Sequence, residues 1–155
     1  MSGQIDARLA ELGITLPPPA KPAANYVPTV QTGNLIYVAG QVPMVDGEFL
    51  YQGKLGRDFT VAEGQARARL VAINIIAQLK AACGGDLDRV RRAVKLNGFV
   101  NCVPDFGEQP HVINGASELM IQVFGESGRH ARSAVGTPGL PFGVAVEIDG
   151  VFEID

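Results

Sequence analysis

Arg132 stands at the head of a short run of small and apolar residues, Arg-Ser-Ala-Val-Gly-Thr over 132–137. A guanidinium keeps its charge in such a setting, so it needs an anion or several hydrogen-bond acceptors. The chain offers one candidate partner in Glu147, within the apolar run 143–154. A Pro/Gly-rich connection over 136–143 joins the two segments, which makes them candidate neighbours. Two readings stay open. In one, Arg132 and Glu147 form a structural ion pair. In the other, Arg132 is a clamp that grips a carboxylate through two parallel N–H···O bonds, and Glu147 handles protons or water.

Other polar side chains carry a plainer reading beside a sharper one. Cys102, near Asn101, Pro104 and Asp105 at a predicted strand end, reads as a packed thiol or as a pocket-lining, redox-sensitive one. Cys83 ends a predicted helix and reads as a small buried residue. His111, after Gln109-Pro110, reads as a surface histidine at a helix start, where the dipole disfavours its cation. His130 precedes Ala131-Arg132 and reaches either the surface or a cleft rim. Tyr26 is hairpin packing or a pocket lid, and Phe106 is core or a stacking surface. Asn114, Glu118 and the cluster Arg89, Arg91, Arg92 read as solvated faces. Two histidines and two unclustered cysteines give no metal-ligand spacing, and no phosphate loop or dinucleotide fingerprint is present, so no metal or cofactor is expected.

The elements that must position these groups follow from periodicity. Ile5, Leu9 and Leu12 predict a helix over 2–12, followed by the tether Leu-Pro-Pro-Pro-Ala-Lys-Pro at 16–22. Two strands around Gly33-Asn34 read as a hairpin between Tyr26 and Pro43, and 44–58 reads as loop. Thr60 and Glu63 form a capping-box pattern ahead of a helix to about residue 82, with Ala62, Ala66, Leu70, Ile73 and Ala77 as one face. Residues 93–103 alternate as a strand. A second helix runs over 109–124 with Val112, Ala116, Leu119, Met120 and Val123 inward, and strands follow at 132–137 and 143–154, the last with Gly150 as a candidate bulge. The order β-β-α-β-α-β-β, with a helix in front, predicts one α+β domain over 1–155: a mixed sheet with two helices on one face. Apolar residues on both sides of the last strand suggest burial there by a partner subunit.

Composition narrows the classes. Of 155 residues, 46% are hydrophobic and 19% charged, which is globular, and the formal charge of −3 disfavours a general nucleic-acid binder. No apolar run is long enough to cross a membrane as a helix, and the start of the chain has no signal-peptide core, so a cytoplasmic protein is expected.

Three separated stretches resemble one known family. His-Ala-Arg-Ser-Ala-Val (130–135), then Leu140-Pro141 and Val144-Ala145-Val146-Glu147-Ile148, resemble the Rid (reactive intermediate deaminase, YjgF-like) signature. Gly33–Pro43 resembles that family's first hairpin and Phe99–Phe106 its central strand. The resemblance spans about 23–153 and leaves the N-terminal helix and tether outside, as a subgroup feature. It implies a chorismate-mutase-like fold in a barrel-like homotrimer with clefts between subunits. It implies that Arg132 binds a substrate carboxylate, that Glu147 positions water, and that Tyr26 and Gly40 line the pocket with Ala39, Cys102, Pro104, Phe106 and Ala134. The implied reaction is hydrolysis of small enamine or imine acids such as aminoacrylate. Ala39, Ala134 and Pro104 depart from the Ser, Cys and Asn common there, which points to a changed pocket wall and a shifted substrate range. Endoribonuclease or translation inhibition, names some relatives carry, and a non-catalytic carboxylate-binding module are the competing functions.

Overall fold

The computed structural model describes residues 3–50 and 52–155; Ser2, the expected first helical residue, lies outside them, as does Tyr51 within the stretch read as loop. The first helix, α1 (Gln4–Glu11), buries Leu9. The Asp88 carboxylate accepts the Gln4 and Ile5 amides at 2.9 Å each, Lys80 pairs with Asp6 at 2.9 Å, and Arg8 donates to the Gln122 carbonyl at 2.8 Å. The extension is thus fastened to the body through three different segments.

Strands β1 (Thr29–Thr32) and β2 (Leu35–Gln41) form the expected hairpin, with Tyr26–Pro28 irregular ahead of it. The stretch read as loop contains a small hairpin, β3 (Met44–Val45) and β4 (Glu48–Phe49). Its turn, Asp46-Gly47, has φ of 52° and 82°, a mirror-image turn whose twist suits a hairpin.

Helix α2 (Val61–Ala82) starts at the predicted capping box: Thr60 Oγ1 accepts the Glu63 amide and the Glu63 carboxylate accepts the Thr60 amide, both at 3.2 Å. Its core stripe matches the expected one only in the second half, where Ala77 is buried and Ile73 packs against the core. Gly64, Ala68, Val71, Ile75 and Leu79 point inward, while Ala62 and Ala66 face solvent. Alanine is content on either side of a helix, so its spacing misreads the face. Helix α3 (Gln109–Phe124) buries the five residues expected of it. The two helices touch at Gly115, where an added Cβ would sit 2.1 Å from the Gln65 carbonyl oxygen.

The remaining strands are β5 (Val90–Asn101), β6 (Ala131–Thr137) and β7 (Val146–Ile154), in the sheet order β1-β2-β7-β5-β6. Only β5 and β6 are parallel, joined through α3; the other pairs are antiparallel. Strand β7 alternates cleanly. Val146, Ile148, Phe152 and Ile154 enter the core under the helices, and Glu147, Asp149, Val151 and Glu153 occupy the face without helices. Val30, Tyr37 and Val135 lie exposed on that second face. Gly150 is not a bulge: it holds regular register with Val38 and Leu96, and a Cβ there would press on the Phe152 ring at 2.9 Å. The β2 register breaks instead between Val38 and Gln41.

Gly115→Ala forces α2 and α3 apart at a backbone-to-backbone contact. The expected loss is about 1–3 kcal/mol, read as a lower urea midpoint at an unchanged slope.

Candidate functional site

Glu147 lies on the helix-free face of β7, opposite Phe99 of β5. It opens onto a cleft of about 640 Å³, walled by the tether (Lys21, Pro22), Tyr26, the β2 break and the aromatic rings of Phe49 and Phe142. The break in β2 brings Gly40 against the carboxylate: a Cβ at Gly40 would lie 3.1 Å from Glu147 Cδ. A bulge re-aims the backbone, and a side chain at this position would crowd the Glu147 carboxylate. Among the described residues, no hydrogen-bond donor or cation engages the Glu147 carboxylate. Burial raises its pKa, and the neighbouring Asp149 raises it further. Asp149 itself is held by Asn97 Nδ2 at 2.7 Å.

Two buried amides on α2 hold this cleft in shape. Gln78, 2% exposed, donates to the Ala20 carbonyl at 2.7 Å and fixes the tether beside Lys21. Asn74, one turn earlier, donates to the Val42 and Met44 carbonyls at 3.0 and 3.1 Å and fixes the turn after β2. Sequence reading passed over both. The signal was present as two carboxamides four residues apart inside an otherwise apolar stretch, where each must find a partner.

Arg132 occupies the opposite side of the sheet. It registers with Leu96, a core residue, and its guanidinium reaches along α3. Nη1 donates to Asn114 Oδ1 at 2.8 Å and to Ser117 Oγ at 3.1 Å, and Nη2 donates to the Pro110 carbonyl at 3.3 Å. All three acceptors are neutral. Nε–H and one further N–H have no acceptor among the described residues, and two parallel donors are what a carboxylate requires. His130 supports the arrangement from behind. Its Nδ1 donates to the Gly128 carbonyl at 2.6 Å, so Nε2 accepts the Ser117 hydroxyl at 2.9 Å while that oxygen receives Arg132. Burial lowers the His130 pKa, and Arg132 nearby lowers it as well, against the opposing pull of the Gly128 carbonyl; the neutral ring fits this pattern. Asn114 was expected to be solvated and is instead an Arg132 acceptor.

The predicted residues therefore fall into two groups. Tyr26, Gly40 and Glu147 share the cleft. Arg132, Ala134 and Cys102 follow the β6–α3 edge, with Gln109 donating to the Phe106 carbonyl at 2.8 Å and approaching Cys102 Sγ at 3.8 Å. Ala39 sits in the β2 break, its amide donating to the Pro28 carbonyl at 2.9 Å, while Pro104 is exposed in the turn after β5. The structural Arg132–Glu147 pair is not formed. Strand β5 lies between β6 and β7, and the two side chains point to opposite faces. Cys83 is buried with its thiol pKa raised, chiefly by burial, as suits an inert thiol. Arg89 and Arg91 make exposed ion pairs with Asp155. No described helix is long and apolar enough to cross a membrane, and no cluster of potential metal ligands occurs among the described residues.

A mixed sheet with both long helices on one face defines a chorismate-mutase-like α+β protein. A family model described as "YjgF/chorismate mutase-like, putative endoribonuclease" matches residues 6–149, and the chain belongs to the YjgF family. Protein TCP17 of Trypanosoma cruzi is 53% identical over 155 residues, 99% of this chain and 96% of its own. A crystal structure of an Agrobacterium tumefaciens protein of unknown function is 56% identical with a TM-score of 0.91, covering 97% of this chain and 92% of that one. A Shewanella oneidensis structure, described as a putative endoribonuclease, is 38% identical with a TM-score of 0.94, covering 98% and 100%.

The raised pKa of Glu147 is also a statement about stability. Folding favours its protonated form, so that contribution is present below the ordinary glutamate range and is lost as pH rises through the folded value. Glu147→Gln is expected to raise the urea midpoint at neutral pH, with the gain over wild type vanishing in acid, where both side chains are neutral.

Proposed function

We propose that the protein hydrolyses reactive imine and enamine acids to keto acids and ammonia, in a site shared between two copies of the chain. One observation carries the reading. Arg132 has no acidic partner and Glu147 has no donor among the described residues, and each faces an open side of the same subunit. Half-buried charges without partners are costly unless something else supplies them. A second copy placing its β6 edge at the Glu147 cleft supplies both at once. The exposed Val30, Tyr37 and Val135 on the helix-free face give such an assembly an apolar surface to cover, and a closed homotrimer is the form the family resemblance implies.

In this arrangement Arg132 of one subunit grips the substrate carboxylate and fixes the C=N carbon over the neighbour's cleft. Water attacks that carbon while Glu147 accepts its proton. The proton passes to nitrogen, the carbinolamine collapses, and ammonia leaves with the keto acid. Orientation does most of what is required, because such imines already hydrolyse in water. Endoribonuclease chemistry fits this cleft less well, since Glu147 and Asp149 together repel a phosphodiester. A pure binding module is the remaining alternative. It predicts tight carboxylate binding with no faster loss of imine.

The test is turnover of imines generated by an amino-acid oxidase, with semicarbazide trapping of whatever survives. Arg132→Ala and Glu147→Gln should each abolish the acceleration while the assembly keeps its mass. Mixed, unfolded and refolded together, the two inactive variants should regain about a quarter of wild-type activity, the share of sites that draw Arg132 and Glu147 from different intact donors under random assembly. No recovery places the two groups in separate functions and rejects the shared site. Asp149→Asn should move the acid limb of kcat/KM to lower pH by removing the like charge beside Glu147.

A further inference from the structure

The cleft holds more apolar surface than a three-carbon acid can use, and one of its walls is built in an unfavourable way. Phe142 adopts φ 60°, ψ 13°, a left-handed conformation that a side chain with a Cβ rarely takes. Neighbouring contacts enforce it: Gln52 Nε2 donates to the Phe142 carbonyl at 2.6 Å, and the Gly53 amide donates to the Gly143 carbonyl at 2.9 Å. The result is that the Phe142 ring stacks on Phe49, centroids 4.0 Å apart and planes within 13°, while remaining 51% exposed. Tyr26, 49% exposed, and Phe99 line the same cleft. A glycine in position 142 would relieve the backbone, so the ring has a use that outweighs the strain.

We infer that Phe49 and Phe142 form a subsite for the side chain of the substrate, and that it selects imines derived from aromatic or large apolar amino acids over those derived from alanine or serine. The inference rests on the deaminase reading for the identity of the reacting group, and on the cleft alone for the side-chain preference. Glu147 supplies the reacting group in the cleft, and the stacked rings among the same walls give a flat apolar group a face to lie on. Lys21, fixed by its neighbour's bond to Gln78, is the cation on the tether wall and sets the alternative: selection of a second carboxylate.

Two readouts separate this subsite from the reaction. Calorimetric titration compares phenylpyruvate with pyruvate, the product acids, and the oxidase-coupled assay compares imines of phenylalanine, alanine and glutamate. Wild type should favour the phenyl member in both. Phe142→Ala and the milder Phe49→Leu should each reduce that ratio by about tenfold or more. A phenyl preference in binding without any turnover leaves the subsite standing and overturns the deaminase reading. Turnover that depends on Arg132 but shows no phenyl preference, or a ratio unmoved in both variants, overturns the subsite. So does a preference for the glutamate-derived imine, which assigns selection to Lys21. Loss of the assembly in Phe142→Ala with both ligands weakened alike makes the ring an interface residue and overturns the subsite as well.

Discussion

A five-stranded sheet separates two charges, neither of which is paired with an opposite charge among the described residues. Arg132 lies under α3 at the β6 edge, and Glu147 lies on the bare face of β7 with β5 between them. Strand alternation makes this separation rigid. Because successive side chains alternate faces, moving Glu147 to the helix side would require a one-residue slip, and that slip would drive Val146, Ile148, Phe152 and Ile154 out of the core. The hydrophobic core therefore fixes where the acid sits as firmly as any local contact. The same logic fixes Arg132 through the pairing of β6 with Leu96 and Gly98.

Around each charge the chain builds support of a different kind. Arg132 is steadied by neutral oxygens from Asn114, Ser117 and Pro110, which orient a guanidinium without neutralising it. A carboxylate in their place would have closed the clamp. Glu147 receives no such support and is shaped by exclusion: Gly40 yields space, and Asn74 and Gln78 hold the surrounding backbone from behind. The N-terminal extension belongs to this second half. Asp88 caps α1 and Gln78 secures the tether, so the tether, which lies within the matched residues 6–149, becomes a wall of the cleft. The Agrobacterium and Shewanella structures superpose over nearly their whole lengths, this extension included in the span they cover.

Much of this was legible in the sequence, and the misses have physical causes. The capping box at Thr60 and Glu63, the inward stripe of α3, and the standing of Arg132 and Glu147 as charges in apolar surroundings depend on local residue types and emerge directly. Which strand lies beside which is a long-range property. The short connection over 136–143 suggested that β6 and β7 are neighbours, but β5 pairs with both and enters between them. The ion-pair reading failed for that reason. The first half of the α2 face failed because alanine carries little information about burial. The site of the bulge failed because Gly150 is glycine to admit Phe152, whereas Gly40 is glycine to admit Glu147.

The pattern of strain and exposure now bears on why one chain leaves so much unfinished. A half-buried acid with no donor among the described residues, a guanidinium held by neutral acceptors and a left-handed phenylalanine each oppose folding of the isolated subunit. All of them face the cleft or the sheet edge, and the core beneath them is conventionally packed, with Phe152, Leu96 and Ile148 fully buried. Defects scattered at random would not gather on one cleft and one sheet edge. Their concentration there is what the proposed site divided between subunits would require, because each half would stay unsatisfied until its complement arrived.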